Sequence, residues 1–157
     1  MRTITRSTIT LAAAAGLFGS VLVGAGFAQT TASGTIPLPA LLDQIGFTAD
    51  GRQEWDDGNV EVKGRLSDGT RVEVHYDGDG IREIEAQGRY ATLPLGLVDS
   101  FVPDASERHP QLSHITRLTK IEVDDDGEVE VEGLSVDGHE IEAEFDRAGQ
   151  MIQYERR

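Results

Sequence analysis

Apolar and polar residues alternate with a period of two over four stretches of this chain. Val60 and Val62 alternate with Glu61 and Lys63, and Val72, Val74 and Tyr76 with Arg71, Glu73 and His75. Val129 and Val131 alternate with Glu128, Glu130 and Glu132, and Ile141, Ala143 and Phe145 with Glu140, Glu142 and Glu144. That period puts one face of a strand in a core and the other in water, as in antiparallel sheets. Asp57-Gly58, Asp68-Gly69, Asp126-Gly127 and Asp137-Gly138 are hairpin dipeptides, since both residues tolerate positive φ. Strands are predicted over 52–55, 60–66, 70–76, 81–86, 115–123, 128–135, 139–145 and 151–155. Two short helices are predicted over 38–45 and 93–101. The first has Pro39 near its start and Gly46 past its end, and the second is stopped by Pro103.

The pattern repeats. Residues 58–80 align without a gap on 127–149 at an offset of 69, with 10 of 23 columns identical. Leu38-Pro39 matches Leu93-Pro94 at an offset of 55, so the second unit carries 14 more residues between helix and strands. Most of them fall in 103–114, the least regular stretch. The expected fold is α+β: a short helix plus an antiparallel β-meander, duplicated, with the helices packed on one face of the sheet. The units run over 37–89 and 90–157. Each is too small to bury a comfortable core alone, so a shared core or continuous sheet is expected.

Composition adds a compartment. Residues 1–28 read as a secretory signal: Arg2 and Arg6, an uncharged apolar stretch, then Gly26-Phe27-Ala28, with cleavage before Gln29. A retained membrane anchor is the other reading, but Ala and Gly dominate the stretch. Residues 29–36 read as a flexible leader. There is no cysteine, which excludes disulfides, thiolate metal sites and a lipid-modified N-terminal cysteine. The net charge is −14, and losing Arg2 and Arg6 with the signal takes it to −16. Such a chain repels nucleic acid and anionic lipid and suits cations or a basic partner. An exported protein, periplasmic or secreted, without stable membrane insertion after cleavage, is expected.

The order of motifs resembles the PepSY domain family. After the short helix comes Gln53-Glu54-Trp55-Asp56-Asp57-Gly58, then Val60-Glu61-Val62, Asp68-Gly69, an alternating strand and a turn from Asp77 to Gly80. The second unit follows the same order through Val129-Glu130-Val131, Asp137-Gly138 and Asp146 to Gly149. Two-unit forms are similar to the β-lactamase inhibitor protein, a curved sheet backed by helices. The resemblance implies an exported, non-catalytic domain that binds or restrains peptidases or other envelope proteins. It brings no catalytic residues and no cofactor.

The residues themselves offer little chemistry. Ser100, Ser106 and Ser113 lack a nucleophile-elbow context, and carboxylates are too many for any pair to stand out as acid and base. The acidic loops invite calcium, with Asp77, Asp79, Asp124 and Asp126 as the candidate ligands. Aligned to an EF-hand loop, however, Asp77 to Gly80 puts His75 at the first ligand position and Ala86 at the last, and both fail. Turn chemistry is the plainer account. His109 and His114 lack metal-ligand spacing and read as surface loop histidines. Trp55, the single tryptophan, reads as a core aromatic. The candidate partner-binding surface joins Glu128, Glu130, Glu140 and Glu142, on the wet face of two strands, to Glu107 and His109 in the inserted segment. A calcium-binding acidic protein is the alternative.

Overall fold

The structure, a computed structural model, describes residues 39–51, 53–56 and 58–157. The expected signal 1–28 and leader 29–36 lie outside the described residues. So do residues 37 and 38, Arg52 of the first expected strand and Asp57 of the first expected turn. Among the described residues nine strands form a single antiparallel sheet. They are β1 (Thr48–Ala49), β2 (Glu54–Asp56), β3 (Asn59–Arg65), β4 (Arg71–Tyr76), β5 (Ile81–Ala86), β6 (Arg117–Val123), β7 (Val129–Leu134), β8 (Glu140–Phe145) and β9 (Met151–Arg156). The order from β3 to β9 is a simple meander, and both β1 and β2 pair with β3. Three short helices, α1 (Ala40–Gln44), α2 (Val98–Phe101) and α3 (Ala105–Arg108), accompany 3-10 turns at Leu95–Leu97 and Pro110–His114. The fold is mostly β, consistent with the α+β class.

Alternation decides what is buried. Val60, Val62, Val72, Val74, Tyr76, Ile84, Ile121, Val131, Ile141, Ala143 and Phe145 line one sheet face and are buried. Leu42 of α1, Leu97, Val98 and Val102 around α2, Ala105 of α3 and Leu112 join the same cluster. The short helices therefore cover a hydrophobic face that the sheet cannot bury alone. The sheet is continuous from end to end because β5 pairs with β6 through Glu83–Glu122, Ile84–Ile121 and Glu85–Lys120.

Four expectations are corrected. The helix expected over 93–101 begins late, because Pro94 (φ −60°, ψ 126°) is extended and Leu93 forms a bridge with Leu118. The strand expected over 52–55 is the shorter β2 at 54–56, and a further strand that was not expected, β1 at 48–49, pairs with the same edge of β3. Trp55 sits on that edge and is 53% exposed, so it is not a core aromatic. The segment 103–114 is ordered into α3 and a 3-10 turn, and it supplies Ala105 and Leu112 to the core.

Two glycines let elements come together. A Cβ on Gly64 would lie 2.3 Å from the Thr48 carbonyl oxygen and 2.5 Å from the Phe47 ring. A Cβ on Gly133 would lie 2.5 Å from Ile115 Cγ2 and 2.6 Å from the Arg117 carbonyl oxygen. No real side chain fits at those separations.

Candidate functional site

Register turns the polar half of the alternation into two rungs that cross the sheet at right angles to the strands. One rung runs Lys63, Glu73, Glu85, Lys120, Glu132, Glu142, Glu155, each residue directly opposite the next. The other runs Glu61, His75, Glu83, Glu122, Glu130, Glu144, Gln153. Six of the facing pairs are Glu against Glu: 73–85, 83–122, 122–130, 130–144, 132–142 and 142–155. Like charges directly opposite each other destabilise a sheet by a few tenths to about 1 kcal/mol per pair.

Two lysines and Arg157 partly offset this; Arg157 lies 3.1 Å from Glu142 and 2.5 Å from Glu155. Lys120 Nζ lies 2.5 Å from Glu122, 3.0 Å from Glu132 and 3.6 Å from Glu130. Lys63 Nζ lies 2.6 Å from Glu61 and 3.4 Å from Glu73. Burial works against the Lys120 charge, but its hydrogen bonds to Glu122 and Glu132 outweigh it and hold the ammonium above its ordinary range. Glu130 is pushed up to about 7, first by its hydrogen bond with Glu132, then by burial and by the charges of Glu132 and Glu142. Burial pushes Glu132 up, yet the hydrogen bonds from Glu130 and Lys120 win and hold it below its ordinary value. Glu83 is raised by burial, with Glu122 and Glu85 adding to it. The center of this face is therefore a carboxyl pair that shares one proton more readily than it carries two charges.

The expected partner-binding residues do not form one surface. Glu130 and Glu142 are brought together with Glu144, their carboxylate oxygens within 4.8 Å of one another. Glu128 lies just before β7, and Glu140 opens β8 at the other end, opposite Leu134. Glu107 is exposed on α3. His109 is half-buried. Its Nε2 lies 3.0 Å from the Gly149 carbonyl oxygen, and its ring meets Phe145 edge-on at 5.2 Å. Phe145 points to the core, so His109, in the one-residue link between α3 and the 3-10 turn, pins that segment to the face opposite the acidic rungs and is half-buried, not a surface histidine.

Of the candidate calcium ligands, Asp77 and Asp124 have their carboxylates in use. Asp77 Oδ1 accepts the N–H groups of Asp79 and Gly80, and its Oδ2 accepts Arg82 Nε at 2.6 Å. Asp124 Oδ1 accepts the N–H groups of Asp126 and Glu128. The Arg82 guanidinium spans both loops, 3.8 Å from Asp79 and 3.4 Å from the Asp124 carbonyl oxygen. It stands where a cation shared by the two loops would sit. Asp126 contributes only its N–H to the turn.

No family model matches the chain. The chain is 37% identical over 91 residues to a DNA ligase of Natronomonas pharaonis. It is 47% identical over 45 residues to DNA ligases of two Halobacterium salinarum strains. These matches take in 58% and 29% of this chain but only 15% and 8% of the ligases. The chain thus spans a small part of the curated relatives it matches.

Sequence reasoning missed the extent of the rungs. Glu83, Glu85, Glu122 and Lys120 were not singled out, although each lies in an expected strand. The signal that finds them is the meander order, which lays 81–86 against 115–123.

Proposed function

We propose that this is an exported, non-catalytic protein-binding module that presents its acidic sheet face to a basic partner in the cell envelope. One observation carries the reading: ten glutamates against two lysines and a histidine along two rungs, with six like-charged facing pairs. The fold gains nothing from that repulsion, whereas a cationic partner would relieve it. Duplication of a PepSY-like unit is part of the proposal. The ten identities support it, as does the equivalence of Gly64 and Gly133 at an offset of 69, each giving room to an apolar residue from the preceding segment. The ligase similarity does not extend to ligation. The acidic rungs repel a phosphate backbone, and the matched share of each ligase is small.

The test is co-purification from the envelope fraction with wild type and with the triple variant Glu130→Gln, Glu142→Gln, Glu144→Gln. A partner that binds wild type, weakens with added salt and is lost from the variant supports the reading. A partner held equally by both sinks it. Cation binding is the second reading, favored by the approach of Glu130, Glu142 and Glu144. It expects calcium to raise the melting temperature by linkage. No change at millimolar calcium ends it.

A further inference from the structure

The wet face changes sign at one end. Beyond the two acidic rungs, Arg65 and Arg71 face each other across β3 and β4, and Arg117 opens β6. The Arg71 carbonyl accepts the Gln87 N–H at 2.7 Å, which brings in the segment leaving β5. That segment carries Arg89 and Tyr90. The guanidinium carbons of Arg89 and Arg117 lie 5.4 and 5.7 Å from the Tyr90 ring centroid, and Arg117 Nη2 donates to the Arg89 carbonyl at 3.0 Å. Two cations thus hold one ring that is 75% exposed.

These arginines also lack acidic partners. The chain has 28 acidic residues against 14 basic ones. Among the described residues Lys63, Arg65, Arg82, Lys120, Arg156 and Arg157 each have a carboxylate within 4 Å. Arg71, Arg89 and Arg117 have none, although carboxylates outnumber bases. Arg108 and Arg147 also lack one, but they lie against Gly149 and Gly127, away from this end. Two unpaired guanidiniums, Arg89 and Arg117, flank an exposed tyrosine, and the unpaired Arg71 lies where its carbonyl holds the segment that carries Arg89 and Tyr90; that is the composition of an interaction hot spot.

We infer that Arg71, Arg89, Tyr90 and Arg117 form a docking site for a carboxylate-rich segment of a partner protein, separate from the acidic rungs and opposite in sign. Guanidiniums bind carboxylates in a planar, two-point geometry, and the tyrosine ring supplies apolar contact beside them. The site does not depend on the acidic face having a basic partner.

The test uses the full chain and hexaglutamate, followed by NMR of the arginine Nε–Hε and tyrosine ring signals. Hexaglutamate should move Arg71, Arg89, Arg117 and Tyr90 ahead of Arg65, Arg82, Arg156 and Arg157. The pair Arg89→Ala, Arg117→Ala should weaken binding about tenfold or more, while Arg108→Ala should not. Tyr90→Ala should weaken it and Tyr90→Phe should not. Three outcomes overturn the site: no movement of those signals, equal movement of the already paired arginines, or the same response to inorganic phosphate at matched charge. The last would make it a general anion response.

Discussion

Glu130→Gln should stabilise this protein at pH 8 and leave it nearly unchanged at pH 4. Glu130 faces Glu122 on β6 and Glu144 on β8, with Glu132 and Glu142 beside it and Lys120 at 3.6 Å. The fold lifts its carboxyl from an ordinary 4.5 to about 7. A carboxyl raised in the fold holds its proton more tightly there than in the unfolded chain. Ionising it therefore costs stability, beginning as pH rises through 4.5 and complete above about 7. At ~1.4 kcal/mol per pH unit the gross cost is on the order of 3 kcal/mol. The side chain is 33% exposed, and Glu132 is stabilised in the same exchange. Solvent screening and that offset bring the net to about 1 kcal/mol. Glutamine copies the protonated form and can still donate to Glu132. Lys120 keeps Glu122 and Glu132.

Urea denaturation of both proteins at pH 8, 6 and 4 measures this. The variant's advantage should be largest at pH 8, smaller at pH 6 and absent at pH 4. Glu132, Asp77 and Asp137, all held below their ordinary values, lose their contributions only as pH falls below about 4.5. The two pH windows therefore separate. A variant no more stable than wild type at pH 8, or equally favored at pH 4, refutes the reasoning.

Gly133→Ala and Gly64→Ala should each cost about 1–3 kcal/mol, because the added methyl meets backbone oxygen and packed side chains. Unchanged urea midpoints would show that the neighbors move at no cost. Fragments 29–89 and 90–157 should each melt below the whole chain, since cutting there breaks the β5–β6 pairing and divides one core. Halves that melt cooperatively at the parent's temperature would refute it. Added sodium chloride should raise the melting temperature of the whole chain by screening the six Glu–Glu pairs; a fall would mean the lysine bridges dominate. The proposed export with cleavage before Gln29 predicts that mass spectrometry of the extracytoplasmic fraction finds Gln29, or its cyclised form, at the N-terminus; intact Met1 there would refute it.

Much of this fold is written locally. The alternation at Val60–Val62, Val72–Tyr76, Val129–Val131 and Ile141–Phe145 places β3, β4, β7 and β8 and names their buried face. Those residues carry the burial, so the signal and its cause coincide. The helices were harder to read because proline acts on its predecessor: Pro94 holds Leu93 extended against Leu118 and shortens the helix. Trp55 misled because composition cannot say that a strand lies at an edge. His109 misled because its partners, Gly149 and Phe145, lie about 40 and 36 residues away. The rungs were half visible. Glu130, Glu132, Glu142 and Glu144 alternate locally, but their continuation through Lys120, Glu85 and Glu73 depends on the β5–β6 pairing and on an irregularity in β6 between Leu118 and Lys120. No local pattern encodes either.

The two faces of the sheet answer to different demands. Changing Val131, Ile141 or Ile84 disturbs a core into which every helix packs. Changing the rungs leaves that core untouched, and most changes there reduce repulsion. A fold left to stability alone would interleave lysine with glutamate, as Lys63–Glu73 and Glu85–Lys120–Glu132 already do. Instead β7 and β8 face each other with glutamate alone on both rungs, where Arg157 reaches Glu142, while Arg89 and Arg117 stand at the end of the sheet around Tyr90. The charges are separated into an acidic field and a basic end within one surface. Such separation costs self-energy in the isolated protein and is recovered against a partner of complementary pattern, whose orientation it would also fix. The Glu130→Gln experiment weighs the first half of that statement and the hexaglutamate titration the second. A stabilised Glu130→Gln protein together with a silent Tyr90 would leave the acidic field as the single interaction surface.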